Sequence, residues 1–112
     1  MGITEVVRGN DLLPSAFRQT ELNMALGFKK LNFAHVPLVV GADGRRLAKR
    51  HGDTRLSQYR DQGIKSEQII GWAAHSVGLT PVDRPLHPRS LIADFDWSKV
   101  SRHQTVITKQ QW

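Results

Sequence analysis

An α/β architecture is predicted: a βαβ unit with parallel strands, then a small helical appendage. Thr4–Arg8 is a short β-branched run bounded by Gly9. Phe33–Val40 is a second, mostly apolar run. Between them Ala16–Leu26 carries apolar residues at helical spacing. Strand, helix and strand within about 37 residues fit a βαβ crossover.

Each element has local grounds. Gly9-Asn10-Asp11 suits a turn after the first strand, and Pro14 and Ser15 suit a helix start. Phe17, Met24 and the group Leu22, Ala25 and Leu26 give that helix an apolar face. Gly27 stands where a left-handed C-terminal residue belongs. In the second strand, Pro37 argues against a central place in a sheet, because it cannot donate to a ladder. Gly41-Ala42-Asp43-Gly44 forms a turn cluster. It opens a basic segment, Arg45 to Gly52, with no apolar periodicity, which reads as an exposed loop. Asp53 or Thr54 is the expected cap of a short helix running through Asp61 and ending near Gly63. Ser66 is the expected N-cap of a longer helix, with Glu67 in its first turn. In that helix Ile69, Ala73 and Val77 lie four apart, beside Ile70 and Ala74, and Gly78 ends it. Pro81, Pro85 and Pro88 mark a loop, and Ser90 to Phe95 suits one or two helical turns. From Ser98 the tail is polar and is expected to be loosely held. The expected division is 1–52, the strand-rich part, and 53–112, the appendage and tail.

Charge and composition narrow the function classes. Sixteen Lys+Arg against ten Asp+Glu give a net charge of +6, which favours a polyanion partner such as nucleic acid or a nucleotide. Arg45, Arg46, Lys49, Arg50, Arg55 and Arg60 concentrate that charge. With no cysteine, disulfide scaffolds, cysteine-ligated metals and thiol catalysis drop out. No apolar run reaches the ~20 residues of a membrane span, so no membrane partner is expected. The N-terminal residues lack a secretory pattern, and the cytoplasm is the expected compartment.

Two clusters are candidate sites. Arg8, Gly9 and Asp11 stand at the end of the first strand, and ligands of parallel α/β sheets bind at carboxyl ends of strands. The Arg8 fork suits a carboxylate, Gly9 allows close approach to the backbone, and Asp11 suits a vicinal diol such as a ribose. The plain alternative is a strand-end turn with an exposed arginine and a helix-capping aspartate. The second cluster is the basic segment 44–52, where a mobile lysine between glycines brings a point charge to phosphates. Its alternative is a solvated loop. The five histidines (35, 51, 75, 87 and 103) lack the spacing of a helical metal site, and none is expected; His35 reads as a satisfied core or rim histidine.

Several ordered motifs then point to one family. Ile3-Thr4-Glu5-Val6-Val7-Arg8-Gly9-Asn10-Asp11-Leu12-Leu13, Arg18-Gln19 and Phe33-Ala34-His35-Val36-Pro37-Leu38 resemble the second half of the catalytic domain of glutamyl-tRNA synthetases. Arg46-Leu47-Ala48-Lys49-Arg50 is similar to that family's form of the class I K-M-S-K-S signature, and Ser57-Gln58-Tyr59-Arg60-Asp61-Gln62-Gly63 continues the match. The short ending, with Asp94-Phe95-Asp96-Trp97-Ser98-Lys99-Val100, resembles the glutamyl-Q tRNA(Asp) branch, which lacks an anticodon-binding domain.

The resemblance implies the C-terminal βαβ portion of a class I Rossmann-type catalytic domain. It implies ATP-dependent activation of glutamate and its transfer to queuosine of tRNA(Asp). Arg8 would hold a glutamate carboxylate, and Gly9 and Asp11 would lie against the ATP ribose. Lys49 would be the catalytic residue at the ATP phosphates, with Mg2+ accompanying ATP. Arg46 replaces the first signature lysine and Ala48 the serine. Neither an H-I-G-H motif nor the zinc site of that branch lies within these residues. The expectation is therefore a C-terminal piece, inactive alone, that works with a separate N-terminal half. An ordinary glutamyl-tRNA synthetase fragment, or a non-catalytic basic module binding tRNA or nucleotide, are the alternatives.

Overall fold

The computed structural model describes residues 2–47 and 55–108. The chain divides into two compact units, Met1–Leu38 and Val39–Trp112. The domain boundary expected at 52/53 falls among residues outside the described ones.

In the first unit, strand β1 (Glu5–Gly9) lies parallel to β2 (Asn32–Val36), and helix α1 (Leu13–Ala25) joins them through a 3-10 turn at Asn10–Leu12. This is the expected βαβ order. The register sets Arg8 beside His35 and Gly9 beside Val36. Pro14 sits in the first turn of α1, where its missing N–H costs nothing. Gly27, at φ 73°, closes the helix: its N–H donates to the Met24 carbonyl and the Phe28 N–H to that of Asn23. The apolar face of α1 is not buried; Ala16 is its buried residue, and Phe17 remains 71% exposed. A pair of strands is too narrow a sheet to cover a helix of this length.

The run 33–40, expected as one strand, is two. β2 ends at Val36, and β3 (Val39–Val40) begins after Pro37 and Leu38 and joins a different sheet. Pro37 has no N–H for a continuing ladder, which explains the break.

The second unit holds the other corrections. β3 pairs in parallel with β4 (Thr105–Val106), in the tail expected to be loose. The Ile107 N–H donates to the Val40 carbonyl, the Ser101 N–H to that of Val77, and the Thr105 hydroxyl to that of Ser76. Polarity of side chains misled here, because the tail is held largely through its backbone. Its 3-10 turn at Trp97–Lys99 is capped by Asp96, whose carboxylate accepts from the Ser98 N–H at 2.8 Å.

Helix α2 (Leu56–Asp61) starts after Arg55; the caps expected at Asp53 or Thr54 lie outside the described residues. Helix α3 (Ser66–Ser76) starts one residue earlier than expected, so Ser66 is its first residue rather than its cap. The Gln68 side chain, at the third helical position, reaches back to accept from the Lys65 N–H at 2.9 Å, the half of a capping box that satisfies the N–H of the residue before the helix. The proline loop lies directly on α3. The Leu86 N–H donates to the Glu67 carbonyl at 2.9 Å, and Gly71 is overlain by the Arg84 carbonyl. A 3-10 turn at Pro88–Leu91 follows, starting slightly before the turn expected from Ser90. Trp72, 8% exposed, and Ala74 are buried on α3, and Val40 on β3 is buried almost completely. Among the described residues no helix is long and apolar enough to cross a membrane.

Candidate functional site

Arg8 occupies the carboxyl end of β1 and reaches three acceptors. Its Nε donates to His35 Nε2 at 3.2 Å, one terminal nitrogen to Gln19 Oε1 at 2.7 Å, and the other to the Leu12 carbonyl at 3.2 Å. Its guanidinium also lies 4.8 Å from the centre of the Phe33 ring, in cation–π range. Each contact follows from the local fold. The parallel register brings β2 with Phe33 and His35 alongside, the 3-10 turn turns the Leu12 carbonyl back, and α1 supplies Gln19 from its second turn.

All three acceptors are neutral. They fix the plane of the guanidinium without cancelling its charge. A guanidinium has five N–H donors, so donors remain on the terminal nitrogens for an incoming carboxylate. Arg8 is half-buried and tied at three points, where the plain alternative expected an exposed arginine.

Gly9 and Asp11 adjoin Arg8. The position a Cβ would take on Gly9 lies 2.7 Å from Asp11 Oδ1 and 2.9 Å from Leu38 Cδ2. Close approach to this backbone is therefore used by the chain's own side chains on that side. Asp11 does not cap α1, because Leu12 holds that place and Asp11 lies in the preceding 3-10 turn.

The second cluster belongs to the other unit. The Gly41–Gly44 turn is closed by Gly44 N–H to the Gly41 carbonyl and Gly41 N–H to that of Arg45, with Asp43 Oδ1 accepting from the Arg45 N–H. Arg46 bridges to Val40 across this turn, and Leu47 is half-buried. Ala48, Lys49 and Arg50 lie outside the described residues. Among the described residues no group of three or more His, Cys, Asp or Glu side chains is gathered for a metal, so no metal ligand is assigned to them.

The chain matches the family model of class I tRNA synthetases (E and Q), catalytic domain, over residues 1–111. The chain belongs to this synthetase family. It is 54% identical to the glutamyl-Q tRNA(Asp) synthetase of Rhodopirellula baltica, over 95% of this chain and 35% of that protein. It is 39% identical to glutamate–tRNA ligase 2 of Halorhodospira halophila, over 100% of this chain and 24% of that one. A solved glutamate tRNA ligase from Elizabethkingia meningosepticum, in complex with its amino acid, superposes with a TM-score of 0.75 at 25% identity, covering 97% of this chain and 26% of that chain. The chain thus spans about a third or less of the length of these synthetases. The α/β reading and the synthetase family expected from the motifs both stand.

The sequence reading singled out Arg8 but not what holds it. His35 was assigned to core or rim, and Gln19 entered only as part of a motif. The signal available was the parallel register itself, which sets the polar end of one strand beside the one polar side chain of an otherwise apolar run.

Proposed function

We propose that this chain supplies the C-terminal part of a catalytic domain that activates glutamate with ATP and transfers it to queuosine of tRNA(Asp). The observation that carries the reading is the anchored, charged Arg8 at the carboxyl end of β1. Arg8 holds one carboxylate of glutamate and leaves the other free to attack the α-phosphorus of ATP. The bond to pyrophosphate breaks and glutamyl-adenylate forms. Gly9 and Asp11 border the ribose. The 46–50 signature, with Arg46 and Leu47 leading into Lys49, brings positive charge to the phosphates, where Lys49 stabilises the charge that develops on the leaving group. Mg2+ accompanies the nucleotide, and the chain's own contribution is positioning and charge. The H-I-G-H side of the site comes from an N-terminal half, and the proposed setting is the cytoplasm.

The test is a chimera in which this chain replaces the matching stretch of the Rhodopirellula baltica relative. Glutamate-dependent ATP–pyrophosphate exchange by the chimera supports the reading. A folded chimera without exchange, beside an active parent relative, refutes it.

A further inference from the structure

We propose that His35 is a positioning residue for Arg8, assisted by Gln19, and that it orients the arginine for its carboxylate ligand. This rests on the reading of Arg8 as a carboxylate holder. An arginine side chain is long and rotamer-rich, and ordering it on binding weakens affinity. Here the ordering is done in advance. Nε is tied to the neighbouring strand through His35, one terminal nitrogen to α1 through Gln19, and the other to the turn through Leu12. Phe33 supports the guanidinium and stacks with the His35 ring, with centroids 6.2 Å apart.

The choice of histidine has chemical content. To accept from Arg8 Nε, His35 Nε2 must carry a lone pair, so the proton of the neutral ring sits on Nδ1. A carboxylate in this place would hold Arg8 as firmly but would neutralise it and compete with the substrate. A neutral imidazole orients the fork and leaves the charge for the ligand.

The test uses 15N NMR on the 112-residue chain and L-glutamate as probe. The expected result is His35 as the Nδ1–H tautomer at neutral pH, with an Arg8 Nε–H protected from solvent exchange. His35→Phe keeps a ring against Phe33 but has no acceptor. It should lose the Nε–H protection and bind glutamate about tenfold more weakly. His35→Gln, which restores an acceptor, should recover both. A His35 protonated on Nε2, or equal Nε–H exchange in parent and His35→Phe, overturns the proposal. If tautomer and protection are as expected while His35→Phe and Arg8→Leu both leave the glutamate KM of the chimera unchanged, the anchoring stands and the carboxylate reading falls.

Discussion

Replacing Gly71 by alanine separates helix propensity from packing. In an exposed helix interior that change is worth roughly 1 kcal/mol of stabilisation. Gly71 is buried in α3, and a Cβ there collides with the Arg84 carbonyl and comes within 2.7 Å of its carbon and 3.3 Å of the Pro85 nitrogen. All of these atoms are backbone, so no side chain can swing aside. The proline loop must lift, which also strains the Leu86 N–H bond to the Glu67 carbonyl at 2.9 Å. Overpacking of this kind costs about 1–3 kcal/mol, and a lost hydrogen bond costs about 1 kcal/mol. Set against the propensity gain, Gly71→Ala should destabilise the chain by about 1–3 kcal/mol. Urea denaturation followed by Trp fluorescence reads this, since Trp72 is the next residue and is buried. Ala73→Gly, at an exposed position of the same helix, is the control and should cost roughly 1 kcal/mol by propensity alone. A Gly71→Ala chain as stable as the parent, or more so, would refute the close approach of the loop.

In the chimera, Lys49→Ala should slow adenylate formation by about 3–4 kcal/mol of transition-state stabilisation with a smaller effect on glutamate binding; unchanged single-turnover rates would remove Lys49 from the mechanism. The Asp96 carboxyl is held below its usual range chiefly by the Ser98 backbone N–H, then by the Ser98 side chain, with Lys99 adding a smaller effect. A depressed carboxyl contributes stability above its unfolded-state pKa and loses it as pH falls through the folded one. The cap at Trp97–Lys99 should therefore be lost only as pH falls below the ordinary aspartate range, and a carboxyl-carbon NMR titration of Asp96 with its midpoint at or above that of an ordinary aspartate would contradict the cap. Supplied with labelled glutamate and separate tRNA pools, the chimera should label queuosine-containing tRNA(Asp); label only at the 3′ end of tRNA(Glu) would return the chain to the ordinary glutamyl branch.

The parts legible in the sequence are those set by local chemistry. Gly27 and Gly78 both end helices at φ above 70°, as their positions predict. β1 and β2 follow from β-branched and apolar runs. Pro37 argued only against a central place in a sheet; that the run breaks there into two strands was not expected. What escaped depends on long-range backbone pairing. Thr105 and Val106 are too short a run to signal a strand, and only β3 makes them one. The start of α3 lies one residue before the expected one because Ser66 is the better cap by type, while the Gln68 side chain, bonded back to the Lys65 N–H, fixes the start at Ser66. Arg8 stood out in the sequence from its place at the end of a strand and from the motif around it. Its three acceptors come from β2, α1 and the turn between β1 and α1, so only the folded register could assemble them.

The central claim is that Arg8 holds glutamate at this site. Its most direct test is the glutamate KM of the chimera carrying Arg8→Leu, measured by pyrophosphate exchange at saturating ATP. Loss of a charged hydrogen bond to a carboxylate is worth about 1.5–3 kcal/mol, at about 1.4 kcal/mol per tenfold. The glutamate KM should rise by about ten- to a hundredfold, with the KM for ATP nearly unchanged. A glutamate KM equal to that of the unsubstituted chimera would contradict it.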